Sequence, residues 1–439
     1  ENKSVIKFPS IDTWKEACSI DLPKRKKHMH DAGPIMVLDR TAEPPAIWIA
    51  NIGRQEPEDM LWKIVDRGKS LERVEHAVRR YNRHQMVMAP KIAADHENNR
   101  LFAVGGGLPA PVSIDPDTGK EISIELKGEI GKAALEQVGD IAAGPEGMLY
   151  LRSGKTIPKN ERLWYVRRFN KDGELVPFEK AGEFIETHGK KEITSWGLLA
   201  PPFCVDRRGN VYVVGLISRE TLRCRLDVYG PDGAMKKKGL MKMSHTGGCV
   251  GVDAAGRLYV AETLRPRARR YPDFYPGDPN NYFRKWYGVL LRMNPDGGAI
   301  EPAAGLHNEY VGRYNRPVKV TGAQWGYYGI SPMPQQAGCQ CRMAYFDVDE
   351  WGRVWMPDEA GYCITVLDSS GKVVTRFGAY GNWDSRGAGS AMPEPPIPLW
   401  GPGRVAVLDD HAFVADTHNR RIVQVAVGGQ AREEVPVPE

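Results

Sequence analysis

The sequence predicts an all-β chain folded as a single β-propeller, and three observations lead there. A phrase recurs in which an apolar run ends in Asp, a short polar turn follows, and a second β-branched or aromatic run returns. It reads PFCVDRRGNVYVVG at 202–215, GCVGVDAAGRLYVAE at 248–262 and AYFDVDEWGRVWMPD at 344–358, with a looser copy, RVAVLDDHAFVAD, at 404–416. Each copy has the alternation and turn chemistry of a β-hairpin. The copies recur at about the length of one propeller blade plus insertions, so one supersecondary unit is repeated around an axis. Most copies are followed by a third apolar run and a second turn marked by Asp-Gly or Ser-Gly, as in LDVYGPDGAMKK, LLRMNPDGGAIEP and ITVLDSSGKVVTRF.

Taking the turn Asp as a ruler gives the units in order. Asp39 anchors IMVLDRTAEPPAIWIAN and Asp95 anchors KIAADHENNRLFAVG. In DIAAGPEGMLYLR, Gly144 stands at the Asp position; Asp206, Asp253, Asp349 and Asp409 follow. Seven four-stranded blades are expected, or six if the divergent Asp39 unit is an accessory hairpin. Residues 1–32 are read as an N-terminal extension, 33–428 as the propeller and 429–439 as a tail, with SVIKF or the tail segment EEVPVP as the alternatives for a strand that closes the ring. Pairing first and last segments removes exposed sheet edges.

The ruler also locates extra chain. The interval from Asp253 to Asp349 is about twice that from Asp206 to Asp253. The surplus falls at 264–287 and 307–341, both aromatic-rich and both expected as loops on one face. Tyr275, Trp286 and Tyr287 in the first and Trp325 and Tyr327 in the second are candidates for a partner surface, since long structured loops commonly bind or cover a site. Packing that merely holds the loops down is the competing reading.

Composition sets the class. The apolar share of 41% and charged share of 26% are those of a globular chain with a sizeable core, and 47 Gly with 33 Pro suit many turns. No apolar stretch is long enough to cross a bilayer as a helix. The net charge of +5 is dispersed apart from Lys24–Lys27 and Arg265–Arg270, so no basic stripe marks a nucleic-acid surface. The chain starts at Glu1 without Met, which reads as a mature form or a piece of a longer chain, in a periplasmic or secreted setting. Its seven Cys cannot all pair with one another. Cys204 and Cys363 fall inside strand patterns and read as core.

Two constellations could hold a metal. His245 precedes Asp253 by eight residues and Cys341 precedes Asp349 by eight, so they occupy equivalent positions on neighbouring units, with Cys339 beside them in Gly-Cys-Gln-Cys. Thiolates and imidazole suit Zn or Cu(I). A disulfide to Cys249 or Cys18, or free thiols, stay open. Asn51, Glu262, Asp358 and Asp416 end the second strands of their units and offer oxygen ligands for Ca²⁺. The structural alternative is that such acids satisfy their own turns or pair with Arg420 or Arg421. There is no nucleophile elbow, phosphate loop, dinucleotide fingerprint or haem-attachment motif.

VADTHNRRIVQV at 414–425 resembles the signature of NHL-repeat β-propellers, a family related in shape to the SMP-30/gluconolactonase group, and VAETLRPRARR and MPDEAGYCITVLD are weaker versions. The resemblance implies a propeller scaffold that hosts lyases, lactonases and binding modules alike. Its lyase branch holds zinc with a His just before the inner strand. The matching positions here are Pro34, Lys91, Pro201, Gly248, Ala344 and Gly403, so those ligands do not carry over; nor do the Asn and Asp ligands of the lactonases. The expected function is therefore a non-catalytic binding or scaffold propeller of an extracytoplasmic assembly, recognising a protein or small ligand on the loop face. The alternative is a metal-dependent lyase or hydrolase with an atypical site at the channel mouth. A third reading is an electron-transfer partner of a cytochrome, with a redox-active Cys-x-Cys.

Overall fold

The repeated phrase folds as it does because one carboxylate organises each turn. In the computed structural model, Oδ1 of Asp206, Asp253 and Asp349 accepts the backbone N–H two residues on (2.9, 3.0 and 3.1 Å) and four residues on (2.8 Å each). Oδ2 takes the side chain at the fourth position: Asn210 Nδ2, Arg257 Nε or Arg353 Nε. It also takes the aromatic donor at the sixth, from Tyr212 and Tyr259 hydroxyls and Trp355 Nε1 (3.3, 3.2 and 2.9 Å). The intervening Gly209, Gly256 and Gly352 have φ of 76°, 77° and 74°, the left-handed region that glycine enters without strain. This is a tight hairpin with an αL residue before the return strand. It explains why Asp, Gly, a polar residue and an aromatic recur at fixed offsets.

Within 1–86 the structure describes residues 4–7, 18–21, 35–39, 46–50, 61–67 and 71–74. Within 87–439 it describes 91–427 apart from 105–109, 158–160, 188–201, 217–223, 244–247, 268–286, 304–309, 312–316, 334–342, 383–384, 386–391, 409–410 and the single positions 119, 137, 394 and 420. The chain divides into two units, Glu1–Met86 and Val87–Glu439. In the first, Ser4–Lys7 pairs antiparallel with Cys18–Asp21. Ile35–Asp39, Ala46–Ala50, Leu61–Asp66 and Leu71–Val74 form a four-stranded meander there.

The second unit has the propeller arrangement. Four-stranded blades are anchored at Asp95 (Lys91–Asp95, Arg100–Val104, Val112–Ile114, Glu121–Ser123) and at Gly144 (Val138–Ala143, Leu149–Ile157, Glu161–Phe169, Ile185–Glu186). The Asp206 blade comprises Phe203–Val205, Val211–Leu216, Cys224–Tyr229 and Met235–Met243. The Asp253 blade comprises Val250–Val252, Leu258–Glu262, Gly288–Met293 and Ala323–Ile330, and the Asp349 blade Asp347–Val348, Val354–Asp358, Cys363–Leu367 and Val373–Phe377. A last sheet has three strands, Pro402–Leu408, His411–Asp416 and Arg421–Ala426. The described residues thus give five complete blades rather than the seven or six expected. The last sheet lacks a described fourth strand, and the Asp39 repeat builds its sheet in the first unit.

Apolar clusters sit at every junction between successive sheets. Phe102, Leu149 and Phe169 join the Asp95 and Gly144 blades; Tyr150, Phe203 and Val213 join the next pair. The cluster of Ile92, Leu101, Phe413 and Ala415 joins the last sheet to the first blade, so the ring closes on itself. Alternation produces this: Val405 and Val407 face one neighbouring sheet, while Ala406 and Leu408 face the other.

The Asp253 blade departs from the expected chain path. GGAIEP was read as its fourth strand, but Gly298–Pro302 instead runs parallel beside Met235–Met243 of the preceding blade. The fourth strand is Ala323–Ile330, drawn from the stretch expected to be a loop. It offers a longer pairing than Gly298–Pro302 would, with Tyr327 opposite Leu290 and Tyr328 opposite Val289.

Replacing Asp253 or Asp349 with Ala strands part-buried backbone donors and an Arg at once. Each substitution is expected to cost about 3 kcal/mol in urea unfolding, against under about 0.5 kcal/mol for Trp351→Ser on the same turn's exposed tip.

Candidate functional site

Around the axis of the second unit, the ruler sorts side chains into layers. Four residues before the turn position stand Lys91, Asp140, Pro202, Cys249 and Tyr345. Here the axis is blocked. Asp140, fully buried, pairs through Oδ1 with Arg404 Nη1, and Arg404 Nη2 donates to the Ile141 carbonyl at 3.0 Å. The Tyr345 ring lies 4.5 Å from the Arg404 guanidinium and 4.6 Å from Lys91 Nζ. Arg152, also fully buried, donates to the carbonyls of Pro202 and Val214 (3.3 Å each) and to Thr187 Oγ1 (3.1 Å). Burial pulls its guanidinium down to about 9, against the opposing charge of Asp140. Three sheets are thus tied at one point by charge-assisted bonds.

Two residues before the turn position the side chains are small: Ala93, Ala142, Cys204 and Gly251, with Asp347 in the fifth blade. Beside this layer lies a cavity of about 430 Å³, walled by residues of all five blades and the last sheet; at Gly251 the space of a side chain is taken by the Phe346 ring. Asp347 Oδ1 accepts the Val348 N–H and Oδ2 the Val407 N–H, both at 2.8 Å. Burial pushes its carboxyl up from the usual range, opposed first by His96, which lines the same cavity. Nδ1 of His96 is buried and has no hydrogen-bond partner. Cys204 and Cys249, both free thiols, lie in the wall. Burial pushes Cys249 up to about 12 and Cys204 well above its ordinary value, so neither is a ready thiolate. At the rim, Arg207 pairs with Glu350 at 2.7 Å, joining the turns of two non-adjacent blades.

Those residues singled out from the sequence that are described lie elsewhere. His245, Cys339, Cys341, Asn51, Tyr275 and Trp286 fall outside the described side chains. Glu262 is fully buried at the end of its strand. Asp358 accepts from Ser331 Oγ and Gly361 N, both at 2.9 Å. Asp416 accepts from the backbone of Trp400 and Gly401, from Asn419 Nδ2 and from Arg421 Nε, the pairing foreseen as its structural role. Among the described residues, no three His, Cys, Asp or Glu side chains gather at metal-binding range. Cys249 is free, which removes it as a disulfide partner for the 339/341 pair. Tyr287 is buried, its ring 6.0 Å from that of Tyr328. Trp325 packs against Tyr259 and donates to the Ser369 carbonyl, and the Tyr327 hydroxyl meets Arg376 at 2.7 Å. The cavity residues His96, Asp347, Cys204 and Cys249 were not singled out. The signal that finds them is the same ruler, read two residues before the turn rather than at the strand start.

No protein-family model and no curated protein matches the chain. Solved structures similar to it include hydrazine synthase of Kuenenia stuttgartiensis (9% identity, 87% of this chain and 92% of that one, TM-score 0.42). Another is the PQQ-bound aldose sugar dehydrogenase of Streptomyces coelicolor (11%, 77% and 93%, 0.45). A third is a gluconolactonase of Xanthomonas campestris (12%, 75% and 83%, 0.39). Likeness at this level carries no activity, cofactor or partner across to this chain.

The buried thiols and phenols set a pH limit. Cys224 and Cys249 rise from 9.0 to about 12 and Tyr259 from 10.0 to about 12, all mainly through burial. The folded chain therefore binds these protons more tightly than the unfolded one. Their contribution is complete below about pH 9 and is lost as pH rises towards 12. Urea midpoints are expected to fall steadily across that window, less steeply in Cys249→Ala. At pH 8 the native Cys224 and Cys249 thiols should resist iodoacetamide that labels them in the unfolded chain.

Proposed function

We propose that the chain is a non-catalytic binding propeller that holds a small molecule in the axial cavity of its second unit. The observation that supports this is a cavity of about 430 Å³ beside the small side chains of Ala93, Ala142 and Cys204, between an ion-paired floor and the turn rim. That volume falls in the range of small-molecule pockets. The strong groups nearby are already engaged in building the ring: Asp140 with Arg404, and Asp253 and Asp349 with their own turns. The two wall thiols are held protonated. What this leaves is a shaped space with a mixed polar and apolar wall, which favours recognition over turnover. A metal-dependent lyase or hydrolase built on His245, Cys339 and Cys341 is a separate proposal, as are a partner on the aromatic segments and an extracytoplasmic setting.

A fragment screen by ligand-observed NMR on the full chain tests the reading. Binders are expected whose signals vanish in Ala94→Leu and Ala143→Leu, which fill the half-buried cavity wall without touching the floor. Fragments that bind equally well to both variants, or no binders at all, would sink it. Stoichiometric Zn, Cu or Ca lost on mutating His245 or Cys341 would support the metal proposal instead.

A further inference from the structure

In the small-residue layer the fifth blade breaks the pattern. Four successive positions carry Ala93, Ala142, Cys204 and Gly251, and the fifth carries Asp347. Asp347 differs from the neighbouring acids in what it meets. Asp140 is neutralised by Arg404, and Asp95, Asp253 and Asp349 each hold an Arg of their own turn. Asp347 receives two backbone N–H groups, one per oxygen, which leaves each oxygen with further acceptor capacity. The charged groups that bear on it are His96, from the first blade, and Arg404, already paired with Asp140.

The wall of the cavity carries more acid than free base. Besides Asp347 it includes Glu97 and Asp206, while its two Arg are engaged, Arg404 with Asp140 and Arg207 with Glu350. An anion would meet these carboxylates, and a neutral donor would satisfy hydrogen bonds without answering the charge.

We propose that the axial cavity selects a small organic cation. Its ammonium group donates to Asp347 and its apolar body lies against Ala93, Ala142 and Cys204. This rests on the reading of the cavity as a ligand site and deepens it to a ligand class.

Three probes of one shape and different charge test it: benzylamine, benzyl alcohol and benzoate, titrated by calorimetry into the full chain at pH 7. Benzylamine is expected to bind at least about tenfold more tightly than the alcohol, with benzoate weakest. In Asp347→Asn the preference should shrink to under about twofold while the alcohol's affinity holds. Equal affinities in the wild type, a lead for benzoate, or a preference that survives Asp347→Asn would each overturn the proposal. Should that variant fail to fold, the charge series on the wild type decides alone. Binding of the alcohol without a preference for the amine removes only the ligand class. Failure of all three probes removes the cavity reading as well.

Discussion

The fold depends on one recurring interaction, a carboxylate at the end of the inner strand in the Asp206, Asp253 and Asp349 blades. It is more than a turn former. By accepting two amides of the loop, one side chain four residues on and one aromatic six residues on, it fixes where the second strand begins and which way it faces. A slip of one residue would turn every apolar side chain of that strand to the wrong neighbouring blade. The junction clusters, and through them the closed ring, require that register. In the Gly144 blade the position is held differently. There Glu146 has φ of 58°, the Gly147 carbonyl takes Arg100 Nη2, and Glu97 accepts the Glu146 N–H, so the turn leans on the blade before it.

The axis shows how a ring of sheets chooses between a plug and a cavity. Where large polar side chains converge, as with Asp140, Arg404 and Tyr345, the ring is tied shut by bonds that reach across blades. Removing one member of such a pair leaves the other charge stranded, which is why the group acts as a unit. One layer further along, the side chains shrink and the space opens. The same backbone therefore carries a structural half and a vacant half, and the difference lies in a few residues at one register position.

Much of the fold is legible in the sequence because its turn chemistry is local. Asp, Gly and the aromatic at fixed offsets mark the hairpins of the Asp206, Asp253 and Asp349 blades without any knowledge of neighbours. The Asp253 blade was misread where the choice is not local. Both GAIEP and AQWGYYGI can pair as strands, and only the longer partner on Gly288–Met293 decides between them. The blade count suffered from the same limit, since a repeat anchored at Asp39 has the pattern of a blade yet builds its sheet in the other unit. Of the candidate site little was legible. Attention to strand starts and second-strand ends led to Asp358 and Asp416, whose bonds are structural, and past Asp347 and His96. Alanine, glycine and cysteine at equivalent positions look like ordinary core until the axis they face is known.

The strand Gly298–Pro302 has a mechanical consequence. It leaves the Asp253 blade, lies along the outer edge of the Asp206 blade, and is itself held by Pro317–Thr321 before the chain returns. The edge that would otherwise offer unpaired amides to another chain is capped by this loop. The excursion also works as a clasp. A ring held mainly by contacts between successive sheets can peel from its terminal ones, with Asp140–Arg404 and Arg207–Glu350 as longer ties. Here two adjacent blades are stitched together at their rims as well as along their faces. Peeling that starts at the Asp95 blade or at the last sheet would meet its main resistance at this pair, which makes it the keystone that the others lean against.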